Sequence, residues 1–166
     1  MKKGRNLFFI VIFVIAHLSI CNADETIKLA QMPAVFASEL YPCNSCHREM
    51  EVNPKKRHLQ FHEKINIDSH ADGVFWCLDC HAPDNRDKLR LINGERIGFT
   101  EVYRLCGQCH GSIYRDWRAG VHGKRTGYWK GTKKYLLCTN CHNPHNPRFR
   151  KIKPERSPMK PVETLR

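Results

Sequence analysis

The chain has 166 residues, of which 28 are Lys or Arg and 16 Asp or Glu, a formal charge of +12, and 41% are hydrophobic. That length bounds it to one modest domain, and its mean hydropathy of −0.55 leaves too little apolar volume for a self-sufficient core. Ten histidines and nine cysteines turn the reading towards a bound cofactor.

Met1-Lys2-Lys3-Gly4-Arg5 precedes an apolar run from Leu7 to Ile15, and Cys21-Asn22-Ala23 precedes the acidic Asp24-Glu25. This is the pattern of a secretory signal peptide, residues 1–23, with cleavage expected after Ala23. Even extended to Ile20 the run is 14 residues and contains His17, short of the roughly 20 that a membrane span needs. Retention as an anchor and lipidation of Cys21 are the alternatives, the second disfavoured by the bulky Ile20. The expectation is an exported chain that does not itself span a membrane after cleavage.

The body of the protein is expected over residues 24–146. Pro33 to Leu40 predicts a short helix with Pro at its first position and Pro42 as its stop. Cys43-Asn44-Ser45-Cys46-His47 follows. Between it and the next motif lie His58, His62 and His70; His58 and His62, at i and i+4, would share a face if helical. After Cys77-Leu78-Asp79-Cys80-His81, Asp84 can cap a turn of helix. Leu89 to Ile92, Asn93-Gly94 and Glu95 to Phe99 then predict a small hairpin. Beyond Cys106-Gly107-Gln108-Cys109-His110, a two-turn helix with Ser112 as N-cap and Gly120 as terminator would deliver His122 just past its end. Residues 124–135 are basic and aromatic, and Cys138-Thr139-Asn140-Cys141-His142-Asn143-Pro144-His145 closes the body. The tail, 147–166, carries Pro147, Pro154, Pro158 and Pro161 among many cations and is expected to be extended.

Cys43/Cys46/His47, Cys77/Cys80/His81, Cys106/Cys109/His110 and Cys138/Cys141/His142 are four C-x-x-C-H motifs. In each, the two thiols can add to the vinyl groups of one haem and the histidine can turn beneath the iron. Four such histidines arise by chance, at this composition, about once in 10⁵. Cys₄ zinc ribbons and a disulfide scaffold leave all four histidines unexplained. The expected fold is therefore mostly irregular, with short α-helices and a small hairpin, organised around four covalently bound haem c groups that act as its core. The motifs recur at 34, 29 and 32 residues, but the intervening stretches do not match, so no solenoid is expected.

With His47, His81, His110 and His142 proximal, and His17 gone with the signal, five histidines remain for four distal positions. His145 lies three residues from His142, and three residues reach only about 10 Å fully extended, so it must serve a different haem. His62, His70 and His122 complete the expected set. His58, in a Lys/Arg-rich run, is left out, and Met50 is a weak thioether rival. Two histidines on every iron close both faces to substrate, which points to one-electron transfer. No paired carboxylates or activated nucleophile stand out. About eight haem propionates would offset much of the positive charge, which removes the case for nucleic acid as a partner.

The stretches Phe61-His62, Trp76 to His81, Leu105 to Gly111, Gly120 to Gly123 and Cys138 to Pro147 resemble those of small tetrahaem c-type cytochromes of the class III (c3 and c7) group. They resemble more closely the periplasmic tetrahaem subunits that serve membrane quinol-oxidising or reductase complexes. The resemblance covers about residues 40–150. It implies a periplasmic carrier relaying single electrons between a membrane quinol-linked complex, or another donor, and a redox protein partner. A small multihaem reductase with one open haem, or a fixed electron-transfer subunit, are the alternative functions. Cytochrome c3 has distal histidines upstream of its first motif, and this chain after signal removal has none before His47, so its haem order and ligand pairing are not transferred.

Overall fold

A computed structural model describes residues 27–149 and 153–156. The expected signal peptide and most of the expected tail lie outside the described residues. The described chain is mostly turns and short helices with two small hairpins.

Its helices are α1 (Asn44–His47), α2 (Cys77–Cys80), α3 (Val102–Gly107) and α4 (Gly111–Ala119). Strands β1 (Leu89–Arg90) and β2 (Arg96–Ile97) pair antiparallel, Leu89 opposite Ile97. Gly94, at φ 88°, supplies the left-handed turn that the Asn93-Gly94 dipeptide predicts. A second hairpin joins β3 (Arg125–Thr126) to β4 (Lys134–Tyr135), and Leu29 adds a parallel bridge to Tyr135.

The core is small. Among the described residues, nine hydrophobic side chains are buried, too few for four motif loops spread along the whole chain to rest on. Leu89, Leu91, Ile97, Val102 and Leu137 form one cluster, with Phe99, Tyr103, Leu105 and Cys106 against it. It therefore lies between the second, third and fourth motifs. Beside it Trp117 packs on Tyr103 and Tyr135, with ring centres 5.1 and 4.9 Å apart, and donates its indole N–H to the Leu136 carbonyl at 2.9 Å. This ties α4 to the strand that leads into the fourth motif.

Several local expectations are corrected. The helix expected from Pro33 is only a 3-10 turn, Ala34–Ala37, with Pro33 as its cap. No helix follows Asp84, whose carboxylate instead meets Arg96; Asn85 takes over the local turn by accepting the Asp87 N–H. Helix α4 is capped at His110 and not at Ser112, and no side chain caps it. Gly120 does end it, at φ 81°. The His58–His62 stretch is not helical, and His62 sits at φ 63°. The β3–β4 hairpin was not expected. Its signal is Gly127, where a Cβ would stand 2.6 Å from the Thr132 carbonyl oxygen, so only glycine lets the two strands close.

Asn44 fastens the first motif to the loop after the second. Its amide donates to Asn85 Oδ1 at 2.7 Å and its own Oδ1 accepts the Arg86 N–H at 3.0 Å. Removing both part-buried bonds with Asn44→Ala is expected to cost about 1–3 kcal/mol. Urea unfolding of the purified protein checks this, and a loss under about 0.5 kcal/mol would mean that the first motif is held by something else.

Candidate functional site: four histidine pairs

All four C-x-x-C-H motifs fold by one device. The histidine amide closes a single turn onto the carbonyl of the first cysteine: His47 on Cys43 at 3.1 Å, His81 on Cys77 at 2.9 Å, His110 on Cys106 at 2.9 Å and His142 on Cys138 at 2.8 Å. That turn gathers both thiols and the imidazole at one end of a short segment. Cys43, Cys46, Cys77, Cys80, Cys106, Cys109, Cys138 and Cys141 are all free thiols, and none of these pairs is bridged as a disulfide scaffold would need.

Each motif histidine faces one of the four histidines singled out between and after the motifs. His47 lies opposite His62, with ring centres 6.2 Å apart and planes 16° from parallel. His110 faces His70 at 6.4 Å and 14°, His81 faces His145 at 6.4 Å and 19°, and His142 faces His122 at 6.2 Å and 10°. Rings in face-to-face contact would lie about 3.5–4 Å apart. Two imidazoles sharing one metal each hold it about 2 Å from a ring nitrogen that is itself about 1.1 Å from the ring centre, which sets the centres about 6 Å apart. The four spacings fit that arrangement, and the residues present fit a haem at each motif: two thiols, a proximal imidazole and an imidazole across from it.

The facing histidines come from unrelated local structures. His62 adopts a left-handed conformation, and His70 is followed by Ala71 and Asp72 in the same region, at φ 50° and 52°. Such backbone costs of order 1–3 kcal/mol per residue and persists where the surroundings impose it. His122 leaves α4 through a turn in which the Val121 and His122 amides both bond the Asp116 carbonyl, at 2.8 and 3.2 Å. His145 is placed by Asn143, whose Oδ1 accepts its amide at 3.0 Å. It faces His81 and not its neighbour His142.

Burial, with His145 and Arg86 nearby, pushes His81 down to about 4. His47 is lowered by burial, Arg86 and His62, and His145 by burial, His70 and His62. The shifts favour the neutral form of these three rings, the form that binds metal. His58 is exposed and joins no pair.

The pairs are linked in series. Asn44 joins the loops of the first and second, and His81 lies within electrostatic reach of both His62 and His47. Ser69, beside His70, donates to Asn146, beside His145, at 3.0 Å, which connects the second to the third. Cys106 and Cys138 lie close enough for each to perturb the other as a free thiol, Cys106 upward and Cys138 down to about 7, so the third and fourth motifs approach each other at their first thiols.

Sequence reasoning missed two supports. The Pro147 carbonyl lies 2.9 Å from His142 Nδ1, where it can orient the ring and leave the other nitrogen for a ligand, and Phe149 packs 4.4 Å from the same ring. Packing thus runs past residue 146, where the extended tail was expected to begin. Arg86 is the other: its guanidinium donates to the Ala82 carbonyl at 2.6 Å and lies close enough to lower both His47 and His81. The signal for Pro147 was its place two residues after His145; nothing in the sequence marked Arg86.

Among the described residues no three His, Cys, Asp or Glu side chains gather as a tetrahedral metal site needs, and no helix is long and apolar enough to cross a membrane. Comparison with protein-family models, with curated proteins and with solved structures returned no match.

Proposed function

We propose that this chain is a periplasmic tetrahaem c-type cytochrome that relays single electrons between a membrane quinol-linked complex, or another donor, and a redox protein partner. The observation that carries the reading is the pairing itself: each of four motif histidines has one non-motif histidine across from it at metal-sharing distance. Bound haem c would supply a one-electron ferric/ferrous couple at each motif. The chain's own part is to attach, orient and order. The paired cysteines would hold the group and the paired imidazoles would serve as its iron ligands, while Asn44, the Ser69–Asn146 bond and the approach of Cys106 to Cys138 keep the four sites in sequence. With no motif histidine left without a counterpart, the reading favours a carrier over a reductase with an open iron.

The test is ferric EPR of the purified holoprotein, followed by carbon monoxide added to the ferrous form. Wholly low-spin iron and no carbon monoxide band are expected. One high-spin centre that binds carbon monoxide would overturn the carrier reading and favour the reductase.

A further inference from the structure

We propose that the tip of the β3–β4 hairpin is a docking element for an anionic membrane surface, and that it presents the His122–His142 end of the protein to that surface. The proposal rests on the electron-carrier reading for its purpose and on the hairpin for its substance.

The stem is fixed, and Tyr135 anchors it in the interior. Arg125 pairs with Tyr135 and Thr126 with Lys134, while Tyr135 exchanges backbone bonds with the 28–30 segment, its N–H to Lys28 O and its O from Ala30 N, both at 2.8 Å. Tyr135 and Leu137 are 5% and 1% exposed. Arg125 is turned inward, its guanidinium 4.5 Å from the centre of the Tyr135 ring and bonded to the Arg118 carbonyl.

The tip is the opposite. Tyr128 and Trp129 are 85% and 81% exposed, although a turn holds them in place: Gly131 N–H donates to the Tyr128 carbonyl at 3.1 Å, and Lys133 Nζ to the same oxygen at 2.5 Å. Lys130 sits 4.7 Å over the Trp129 ring. Lys124, Lys130 and Lys134 are exposed, and residues 124–135 contain no acid.

Two large aromatics held out on a rigid stem, with lysines around them and no carboxylate, match a lipid interface in three respects. Tyr and Trp settle where an apolar body meets a polar boundary. Lysine stems lie along apolar surface while their charges reach headgroups, and each cation near an anionic leaflet adds attraction. A protein interface core shares the aromatics but is enriched in Arg and depleted in Lys, and the only arginine of this hairpin is consumed in the stem. One strand starts three residues after His122 and the other ends three residues before Cys138, so a docked tip leaves the fourth histidine pair nearest in the chain to the membrane.

The experiment is co-sedimentation of full-chain holoprotein with vesicles of phosphatidylcholine alone or mixed with phosphatidylglycerol, read by protein staining, so that it stands apart from haem content and electron transfer. Binding to the anionic vesicles is expected to exceed that to neutral ones by at least about tenfold, and to fall with salt. The double substitution Tyr128→Ser/Trp129→Ser should lower it by about tenfold or more, and Lys124→Gln/Lys130→Gln/Lys134→Gln should abolish the preference for anionic lipid. All forms share one N-terminus, so any anchor there contributes equally, and circular dichroism checks that the tip variants fold. Equal sedimentation of the native protein and the Tyr128/Trp129 variant overturns the proposal. So does a native protein that ignores both vesicles while the same substitutions slow its reduction by a detergent-solubilised membrane extract, which would assign the tip to a protein partner.

Discussion

Replacing His122 with alanine is expected, on the tetrahaem proposal, to convert one of four low-spin centres into a high-spin haem that binds one carbon monoxide per protein, and to leave three unchanged. The reason is local. His122 faces His142 at 6.2 Å, and the turn that carries it is made by backbone bonds to the Asp116 carbonyl and by Gly120 and Gly123 at φ 81° and 77°. None of these needs the imidazole, so the side chain can go while the loop stays. Nor is its ring buried, so no cavity opens in the core. The matching control is His58→Ala, which lies outside every pair and is expected to leave EPR and optical bands as they were. If His122→Ala kept four low-spin centres, or if His58→Ala produced a high-spin one, the pairing would be wrong. Pro147 sharpens the test: its carbonyl is bonded to the His142 ring, so the imidazole that remains is still oriented and the change reports the lost partner alone.

The sequence carried the inventory of this site but not its wiring. Four motifs were legible because C-x-x-C-H is a local code: one turn of backbone, closed by the histidine amide on the first cysteine carbonyl, suffices to assemble it. The same locality made the Asn93-Gly94 hairpin and the Gly120 helix stop readable. Exclusion of His58 followed from its cationic neighbours, and the separation of His145 from His142 followed from chain reach. Which histidine faces which motif was not legible, since His70 and His110 meet across 40 residues and long-range contacts such as Ser69–Asn146 are encoded by no local pattern. Nor was the helical spacing of His58 and His62 a guide: there is no apolar face there to bury, and tertiary placement sets His62 at a positive φ. The second hairpin escaped because its strands are two residues each, too short for alternation to show, and are stabilised by Trp117 and the 28–30 segment from elsewhere in the chain.

The distribution of packing also makes the four proposed attachment sites unequal. Cys106 lies against the Leu89, Leu91, Ile97, Val102 and Leu137 cluster and close to Cys138, whereas Cys46 is exposed and the first motif is fastened chiefly by Asn44. Removing one attachment by Cys43→Ser/Cys46→Ser or by Cys106→Ser/Cys109→Ser is expected to have the same stoichiometric effect, three haems in place of four by intact mass and pyridine haemochrome. The structural effects should diverge. Loss at the third motif would withdraw the proposed group from beside the main cluster of a domain whose own core is nine side chains among the described residues. It is expected to cost about 3–5 kcal/mol, the scale on which small domains depend on a staple, or to stop the protein accumulating. Loss at the first motif leaves that cluster and the Trp117–Tyr135 contact intact, and should give a folded trihaem protein with a smaller loss in urea. Full haem content in both doubles would remove the motifs as attachment sites. A collapsed Cys43/Cys46 variant beside a stable Cys106/Cys109 variant would show that the third site is not the one on which the chain is built.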